Sequence, residues 1–281
     1  MPKIIDTHSH VNFNAFKEDS AEVVKRALSE DIWMINVGTK YQTSRSAVEF
    51  AKNYKEGVYA VVGMHPMYAA AEFVKLKTDP DEGEFLIKEH EFNKEEYKKL
   101  AQSEKVVAIG EIGLDYYYKP KALVKLEQFK EKQKRIFQEQ LDLAKELNLP
   151  VILHCRVAHD DVIDILSNYR LQTPNYNLTG VVHCFTGTKE QAQKYIDMGF
   201  YIGINGIIFK FNIDEVIKDA TLDKLLFETD CPYLTPPMAE SKRNEPIFIK
   251  HTIDRVSELK NISFDEVCRV TTENAKTLFG I

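Results

Sequence analysis

Short apolar runs rich in β-branched residues recur along the chain, separated by stretches in which apolar residues fall every three or four positions. The runs are Ile4–Asp6, Trp33–Val37, Val58–Val62, Val106–Ile109, Val151–Leu153, Gly180–Val182, Tyr201–Ile204 and Leu225–Glu228. V-V-A-I-G from Val106, V-I-L-H-C from Val151 and G-V-V-H-C from Gly180 are apolar on both faces, as strands of a parallel sheet buried on both sides are. Between Leu126 and Leu147, Phe129, Ile136, Phe137, Leu141 and Ala144 keep helical spacing among Lys, Gln and Glu, which predicts an amphipathic helix. Ser20–Glu30, Thr43–Tyr54, Lys189–Met198 and Pro246–Leu259 share that character. Ser263–Phe279 does too, and it opens on a capping-box pattern, Ser263 followed three residues later by Glu266. Eight strands alternating with helices predict a closed (β/α)8 barrel, the TIM barrel, rather than an open sheet. The stretch from Met64 to Lys105 breaks the rhythm. It contains the turn signal Asp79-Pro80-Asp81-Glu82-Gly83 and is expected to hold two helical pieces around an exposed loop. No internal repeat, low-complexity segment or linker interrupts the pattern, so residues 1–281 are expected to form one domain.

Composition narrows the class without changing it. A length of 281 residues suits a barrel of roughly 250 residues with insertions. No apolar run approaches the roughly 20 residues of a membrane span, and M-P-K-I-I-D lacks the features of a secretory leader, so a cytoplasmic location without a membrane partner is expected. Cys155, Cys184, Cys231 and Cys268 form no C-x-x-C pair, which gives no zinc knuckle or dithiol site and fits a reducing compartment. The net charge of −6 and the lack of a dense Lys/Arg run argue against a tight, non-specific coat on duplex DNA. They leave room for an enzyme that binds a strand end weakly and in a salt-sensitive way. No obligate protein partner is indicated.

The ionisable residues gather at the strand ends. His8 and His10 follow the first strand as D-T-H-S-H, and His65 follows the third as G-M-H-P. Glu111 follows the fourth, His154 the fifth, His183 the sixth and Asp230 the eighth. All parallel strands of a barrel end on one face, the C-terminal face, so these residues converge there. Alternate residues of an extended strand point the same way, so His8 and His10 can hold one ion together. Histidines with two carboxylates suit divalent metals, and His8, His10, Glu111, His154, His183 and Asp230 exceed what one four-coordinate ion needs. Glu111 has two oxygens and can bridge two ions. Paired ions lower the pKa of a water and neutralise charge on a phosphoryl group. Asp230 can complete one site and also take the water's proton. His65 can serve the substrate rather than a metal. His90, His159 and His251 stand in helical or loop contexts and are read as structural. Arg156 shares the face of His154, and its planar fork suits phosphate oxygens. Arg243 and Asn244, in the polar loop Lys242–Pro246, can grip substrate. Tyr116, Tyr117 and Tyr118 can stack on a base or pack the barrel mouth.

These motifs resemble those of the TatD family of metal-dependent deoxyribonucleases. The resemblance rests on D-T-H-S-H at Asp6–His10, G-M-H-P at Gly63–Pro66, G-E-I-G-L-D-Y at Gly110–Tyr116 and H-C-R at His154–Arg156. It continues with H-C-F-T-G at His183–Gly187, E-T-D-C-P-Y-L at Glu228–Leu234 and R-N-E-P at Arg243–Pro246. The matches keep family order over nearly the whole chain. The resemblance implies a TIM barrel that hydrolyses DNA phosphodiesters with two divalent ions (Mg, Mn, Zn or Ni), often as a 3′–5′ exonuclease on single strands or strand ends. It implies that His8, His10 and Asp230 hold one metal. Glu111 would bridge to a second held by His154 and His183, while His65 and Arg156 face the substrate phosphate. The connection from His65 to Val106 is longer than is common in the family, and an added piece there can narrow the mouth or form a partner surface.

Two other functions fit parts of the pattern. An amidohydrolase-type enzyme acting on a small amide, ester or lactone would use the same kind of site. Many such enzymes place a modified lysine where this chain has Glu111, and this difference, Arg156 and the R-N-E-P loop favour the nuclease. A binding protein on a degenerate barrel ranks last, because no ligand position is lost.

Overall fold

Each apolar run becomes a strand in the computed structural model, which describes residues 2–74, 79–83 and 91–281. The strands are β1 (Ile4–Ser9), β2 (Ile32–Val37), β3 (Val58–Val62), β4 (Val106–Asp115), β5 (Val151–Arg156), β6 (Gly180–Val182), β7 (Phe200–Ile204) and β8 (Leu225–Phe227). They lie in sequence order in one eight-stranded sheet, each parallel to the next. The sheet curls into the nearly closed barrel of the (β/α)8 fold. The described helices are α1 (Ser20–Ser29), α2 (Tyr41–Lys52), α3 (Pro66–Ala69), α4 (Lys94–Ala101), α5 (Leu123–Leu147), α6 (His159–Gln172), α7 (Lys189–Asp197), α8 (Asp214–Asp219), α9 (Ile249–Lys260) and α10 (Phe264–Phe279). His90 and part of the 64–105 connection lie outside the described residues. None of the described helices is long and apolar enough to cross a membrane.

β1, β4 and β5 run further than their apolar runs suggest, so His8, Glu111, His154 and Arg156 sit within strands rather than after them. Register shifts between Asp6 and Ser9 and between Ile109 and Ile112 carry the ladders past polar positions. Gly113 makes the β4–β5 approach possible. Its φ of +137° and the 2.1 Å between an added Cβ and the His154 carbonyl oxygen exclude any side chain. α6 was not evident from periodicity because its apolar residues bunch as V-I-D-I-L, a pattern that also suits a strand. At α10, the Ser263 hydroxyl accepts from the Glu266 amide at 3.3 Å as the pattern predicts. The Glu266 carboxylate instead forks onto Arg269 at 2.7 and 2.8 Å, so the other half of the capping box is not made.

Alternation along the strands divides the core into two layers. Ile5, Ile35, Val61, Val107, Ile152, Val181 and Leu226 fill the barrel interior, and Ala275, Leu278 and Phe279 of α10 close its lower end. The opposite faces pack against the helices. α10 is tied to the starts of β1 and β8, because Thr272 donates to the Lys3 carbonyl at 2.8 Å and Asn274 donates to that of Leu225 at 2.9 Å.

The seam between β1 and the end of β8 is held by a side chain. Asp6 is fully buried. Its carboxyl accepts from the Thr229 amide at 2.9 Å and the His8 amide at 3.3 Å, and it meets the Thr229 hydroxyl at 2.5 Å. Burial raises its pKa to about 8 against the pull of these bonds. Asp6→Ala would strand buried donors and is expected to cost about 3 kcal/mol, with Asp6→Asn costing about 1 kcal/mol because an acceptor remains. Urea unfolding of both variants checks this, and an equal loss in the two would mean that the seam depends on charge rather than on hydrogen bonding.

Candidate metal centre

At the C-terminal mouth of the barrel, Glu111 is the centre around which the other groups arrange. Its side chain is 5% exposed. Oε1 lies 2.7 Å from His154 Nδ1, 3.2 Å from His183 Nε2 and 3.4 Å from His65 Nε2. Oε2 faces the other way, 3.6 Å from His8 Nε2. His8 Nε2 and His10 Nε2 are 3.2 Å apart, and Asp230 Oδ1 stands 3.4 Å from His10 Nε2 and 3.8 Å from His8 Nε2. The His8 ring stacks on that of His183 with centroids 3.8 Å apart, which joins the two groups.

The far nitrogen of most of these rings is anchored, and the anchor sets the tautomer. His10 Nδ1 donates to the Val37 carbonyl at 2.7 Å, His183 Nδ1 to Glu228 at 3.0 Å and His154 Nε2 to Asp115 at 3.0 Å. Each therefore turns a lone pair toward the shared centre. His65 is wired oppositely. Its Nδ1 accepts from the Met67 amide at 3.1 Å, so the proton sits on Nε2 and points inward as a donor. Inward-facing acceptors only 3.2–3.8 Å apart repel unless positive charge lies among them, so this donor set fits divalent cations. The groups His8–His10–Glu111 and His8–His183–Asp230 each bring ligand atoms within reach of one ion; His65–Glu111–His154 is as close, but the inward Nε2 of His65 carries a proton.

The electrostatics show the same demand for positive charge, which protons on His183 and His154 meet and which a bound cation would meet in their place. Burial alone would raise the pKa of Glu111, but the imidazoles of His65, His183 and His154 outweigh it and hold the carboxyl well below its ordinary range. Burial would lower His183, yet Glu228 and Glu111 leave it well above its usual value, and Asp115 and Glu111 raise His154 in the same way. His65 is pushed down to about 3, first by burial and then by His154, so it remains neutral.

Around this centre opens a cavity of about 890 Å³. His10, His65, Glu111, His154, His183 and Asp230 line it, with His8 buried beneath. Arg156 lines it too. Nε and Nη2 hold Asp115 at 2.9 and 2.8 Å, while Nη1 has no hydrogen-bond partner among the described residues. Asp230 has a φ of +56°, a left-handed conformation that aspartate tolerates better than most residues.

Arg243 and Asn244, read as substrate contacts, do not join this set. Arg243 spends its donors on Asp19 at 2.7 and 2.9 Å, Glu245 at 2.9 Å and the Ala15 carbonyl at 2.7 Å, with its guanidinium over Phe16. Asn244 is buried and donates to the carbonyls of Thr229 and Tyr233 at 2.9 and 2.7 Å. It braces the loop that carries Asp230. His159 bonds the Tyr195 hydroxyl at 3.2 Å beside Phe185, away from the cavity, and His251 packs near Phe248.

Several groups at the site were not anticipated. Asp115 and Glu228 orient ligands, and Asn205 fixes Glu228 at 2.9 Å. The spacing offered a faint signal, because Asp115 is four residues beyond Glu111 on one strand and Glu228 two before Asp230. The Asp79–Gly83 turn forms as predicted, with the Gly83 amide donating to the Asp79 carbonyl at 3.1 Å. Its far side, however, is buried in the mouth rather than exposed. The Glu82 carboxylate takes the Thr39 and Tyr68 hydroxyls and the Lys40 ammonium, and Asp79 takes the Tyr233 hydroxyl at 2.6 Å.

A (β/α)8 barrel with imidazoles and carboxylates converging at its C-terminal mouth defines the metal-dependent barrel hydrolases as a class. Residues 5–280 match the TatD related DNase family, and the chain belongs to that family of metal-dependent hydrolases. It is 38% identical over 282 residues to an uncharacterized metal-dependent hydrolase, YabD, of Bacillus subtilis strain 168, covering 99% of each chain. It is 31% identical over 287 residues to the 3′-5′ ssDNA/RNA exonuclease TatD of Pantoea ananatis, covering 99% of this chain and 100% of that one. Among solved structures it resembles YJJV, a TatD homologue from Escherichia coli K12, with a TM-score of 0.80 and 30% identity over 99% of this chain and 98% of that one.

Glu228→Gln and Asp115→Asn each remove a carboxylate that orients a ring while leaving every inward-facing group in place. Each is expected to weaken divalent-cation binding roughly 10- to 100-fold. Competition with a chelating dye measures it, and unchanged affinity in both would separate these acids from the cation site.

Proposed function

We propose that this enzyme hydrolyses phosphodiester bonds at the 3′ ends of single-stranded DNA, with two divalent cations at the barrel mouth. The observation that carries the reading is the division of Glu111, whose Oε1 faces His154 and His183 while Oε2 faces His8. A carboxylate with its two oxygens turned to two ligand groups suits a bridge. In this assignment His8, His10 and Asp230 would hold one ion, and His154 and His183 would hold the other, with Glu111 available to both. Two such ions, when bound, supply activation of a water and neutralise charge on the phosphoryl oxygens. The polarity and the single-stranded substrate follow relatives named as 3′-5′ ssDNA/RNA exonucleases, such as the Pantoea ananatis enzyme.

The residues of the chain divide the remaining work. Asp230 is held ionised below its usual range, because His10, His183 and His8 outweigh the effect of burial. In the proposed reaction it takes the proton of the attacking water. His65, neutral and donating from Nε2, contributes a hydrogen bond to a phosphate oxygen. Arg156, positioned by Asp115 at the cavity wall, would donate from Nη1 to a phosphate oxygen, where added negative charge develops.

Protein stripped of metal and resupplied with Mg²⁺, Mn²⁺ or Zn²⁺ is expected to shorten single-stranded oligonucleotides stepwise from the 3′ end, as followed with 5′-labelled and 3′-labelled strands. Shortening from the 5′ end would reverse the polarity. Inertness toward every strand despite bound metal would transfer the reading to a small amide, ester or lactone. Asp230→Asn is expected to keep the fold and lose at least 100-fold in kcat. Near-parental turnover at saturating metal would remove Asp230 as proton acceptor. Glu111→Ala should lower metal content by elemental analysis, and unchanged content would contradict the bridge.

A further inference from the structure

The loop between β4 and α5 has a composition that the hydrolytic centre does not explain. From Tyr116 to Leu126 the chain reads Y-Y-Y-K-P-K-A-L-V-K-L, with three lysines and no acid in a protein of net charge −6. Tyr116 turns inward, packing on Phe129 and donating to Asp161 at 2.7 Å. Its neighbours do not. Tyr117 is 58% exposed, Tyr118 55%, Leu123 77% and Val124 67%, with Lys119, Lys121 and Lys125 exposed among them. Large apolar side chains grouped in water, at the rim of a cavity, mark a binding surface.

The group is wired to the site. The Tyr117 amide donates to Asp115 Oδ1 at 2.9 Å, which fixes the start of the loop to the carboxylate that also holds His154 and Arg156. The Arg156 guanidinium lies 4.5 Å from the Tyr117 ring centroid and 5.3 Å from that of Tyr118. The two rings meet edge to face at 4.8 Å, and Tyr118 itself lines the cavity. On the other arc of the mouth Asp79, Pro80 and Glu82 line the cavity and are held by the loops after β1, β2, β3 and β8, with Glu82 paired to Lys40. The exposed lysines on the β4–β5 side attract an entering polyanion. Exposed aromatic rings next to lysines are what a single strand needs, with π faces for its bases and cations for its phosphates.

We propose that Tyr117–Lys125 is a strand-holding subsite. Bases of a single-stranded nucleic acid beyond the hydrolysed linkage stack on Tyr117 and Tyr118, and its phosphates lie against Lys119, Lys121 and Lys125. The inference rests on the phosphodiesterase reading of the metal centre and adds to it a path for the strand, out over the β4–β5 arc.

The test compares two substrates of the metal-loaded enzyme, bis(p-nitrophenyl) phosphate, which has no strand to extend along the lysines, and a fluorescein-labelled single-stranded 12-mer of thymidylate. The 12-mer's binding to metal-free protein is also followed by anisotropy at several salt concentrations. Tyr117→Ala/Tyr118→Ala is expected to raise KM and Kd for the 12-mer roughly tenfold or more, with Tyr117→Phe/Tyr118→Phe close to the parent. Lys119→Ala/Lys121→Ala/Lys125→Ala should flatten the slope of log K against log salt by about 2 and leave hydrolysis of the small diester unchanged. Parental affinity for the 12-mer and an unchanged salt slope in these variants would overturn the subsite. So would a parent that cleaves the small diester but binds the 12-mer no better than a dinucleotide. A parent that hydrolyses neither substrate with any metal would instead overturn the phosphodiesterase reading.

Discussion

A carboxylate buried in a protein interior must have its charge compensated, and the mouth of this barrel is organised around that demand at Glu111. The compensation is passed outward along lines of alternating sign. One runs from Glu111 through His154 to Asp115 and then to the guanidinium of Arg156 at the rim. A second runs from Glu111 through His183 to Glu228, which ends on the side chain of Asn205 and the amide of Cys184. Each imidazole is thereby held between two acceptors, which fixes its orientation and leaves its inner nitrogen committed to the centre. Cations at that centre would complete both lines, and the acids further out would govern how tightly they are held.

How much of this was legible in the sequence depended on what kind of physics carried each feature. The strands were, because residues such as Val106–Ile109 and Val151–Leu153 are buried on both faces and leave an unbroken apolar run. The inward-facing groups were, because a barrel converts the position "end of a strand" into convergence in space. The supporting acids were not. Asp115 and Glu228 look like ordinary polar residues at strand ends, and their value lies in a contact with another strand, 39 residues away for Asp115 and His154. The anchoring of Arg243 and Asn244 was hidden for the converse reason. A polar loop beside a site reads as substrate-binding, but Asp19, Glu245 and backbone carbonyls that claim their donors are distant in sequence or carry no side-chain signature. The Asp79–Gly83 turn was legible as a turn from local chemistry, whereas its burial against Thr39, Tyr68 and Tyr233 was not.

The mouth also has a polarity that follows from where the chain puts its irregular segments. The loops after β8, β1, β2 and β3 are laced together by Glu82 and Asp79, which makes that arc well anchored. The loop after β4 is anchored at its root, by Tyr116 on Asp161, the Tyr117 amide on Asp115 and Arg156, and then opens into solvent. One arc is therefore built as a wall and the other as an approach. The overall negative charge conceals this, because a net sum says nothing about which side of a cleft the cations occupy.

The closing of the barrel and the building of the site are one event. Asp6 draws β1 to the end of β8, and within the same few residues the Asp230 amide donates to the His8 carbonyl at 2.8 Å and the His10 amide to that of Cys231 at 2.9 Å. The backbone bonds that finish the cylinder are those that set His8, His10 and Asp230 side by side. Asn244 then pins the far side of the same loop through Thr229 and Tyr233. A sheet left open at this seam would still possess Glu111, His154 and His183 on neighbouring strands. His154 and His183 would still hold the Glu111 carboxylate charged, but its Oε2 would face none of the groups that the seam brings to it. Closure therefore makes a half-site into a whole one, which places the D-T-H-S-H and E-T-D motifs, at opposite ends of the chain, under a single physical constraint.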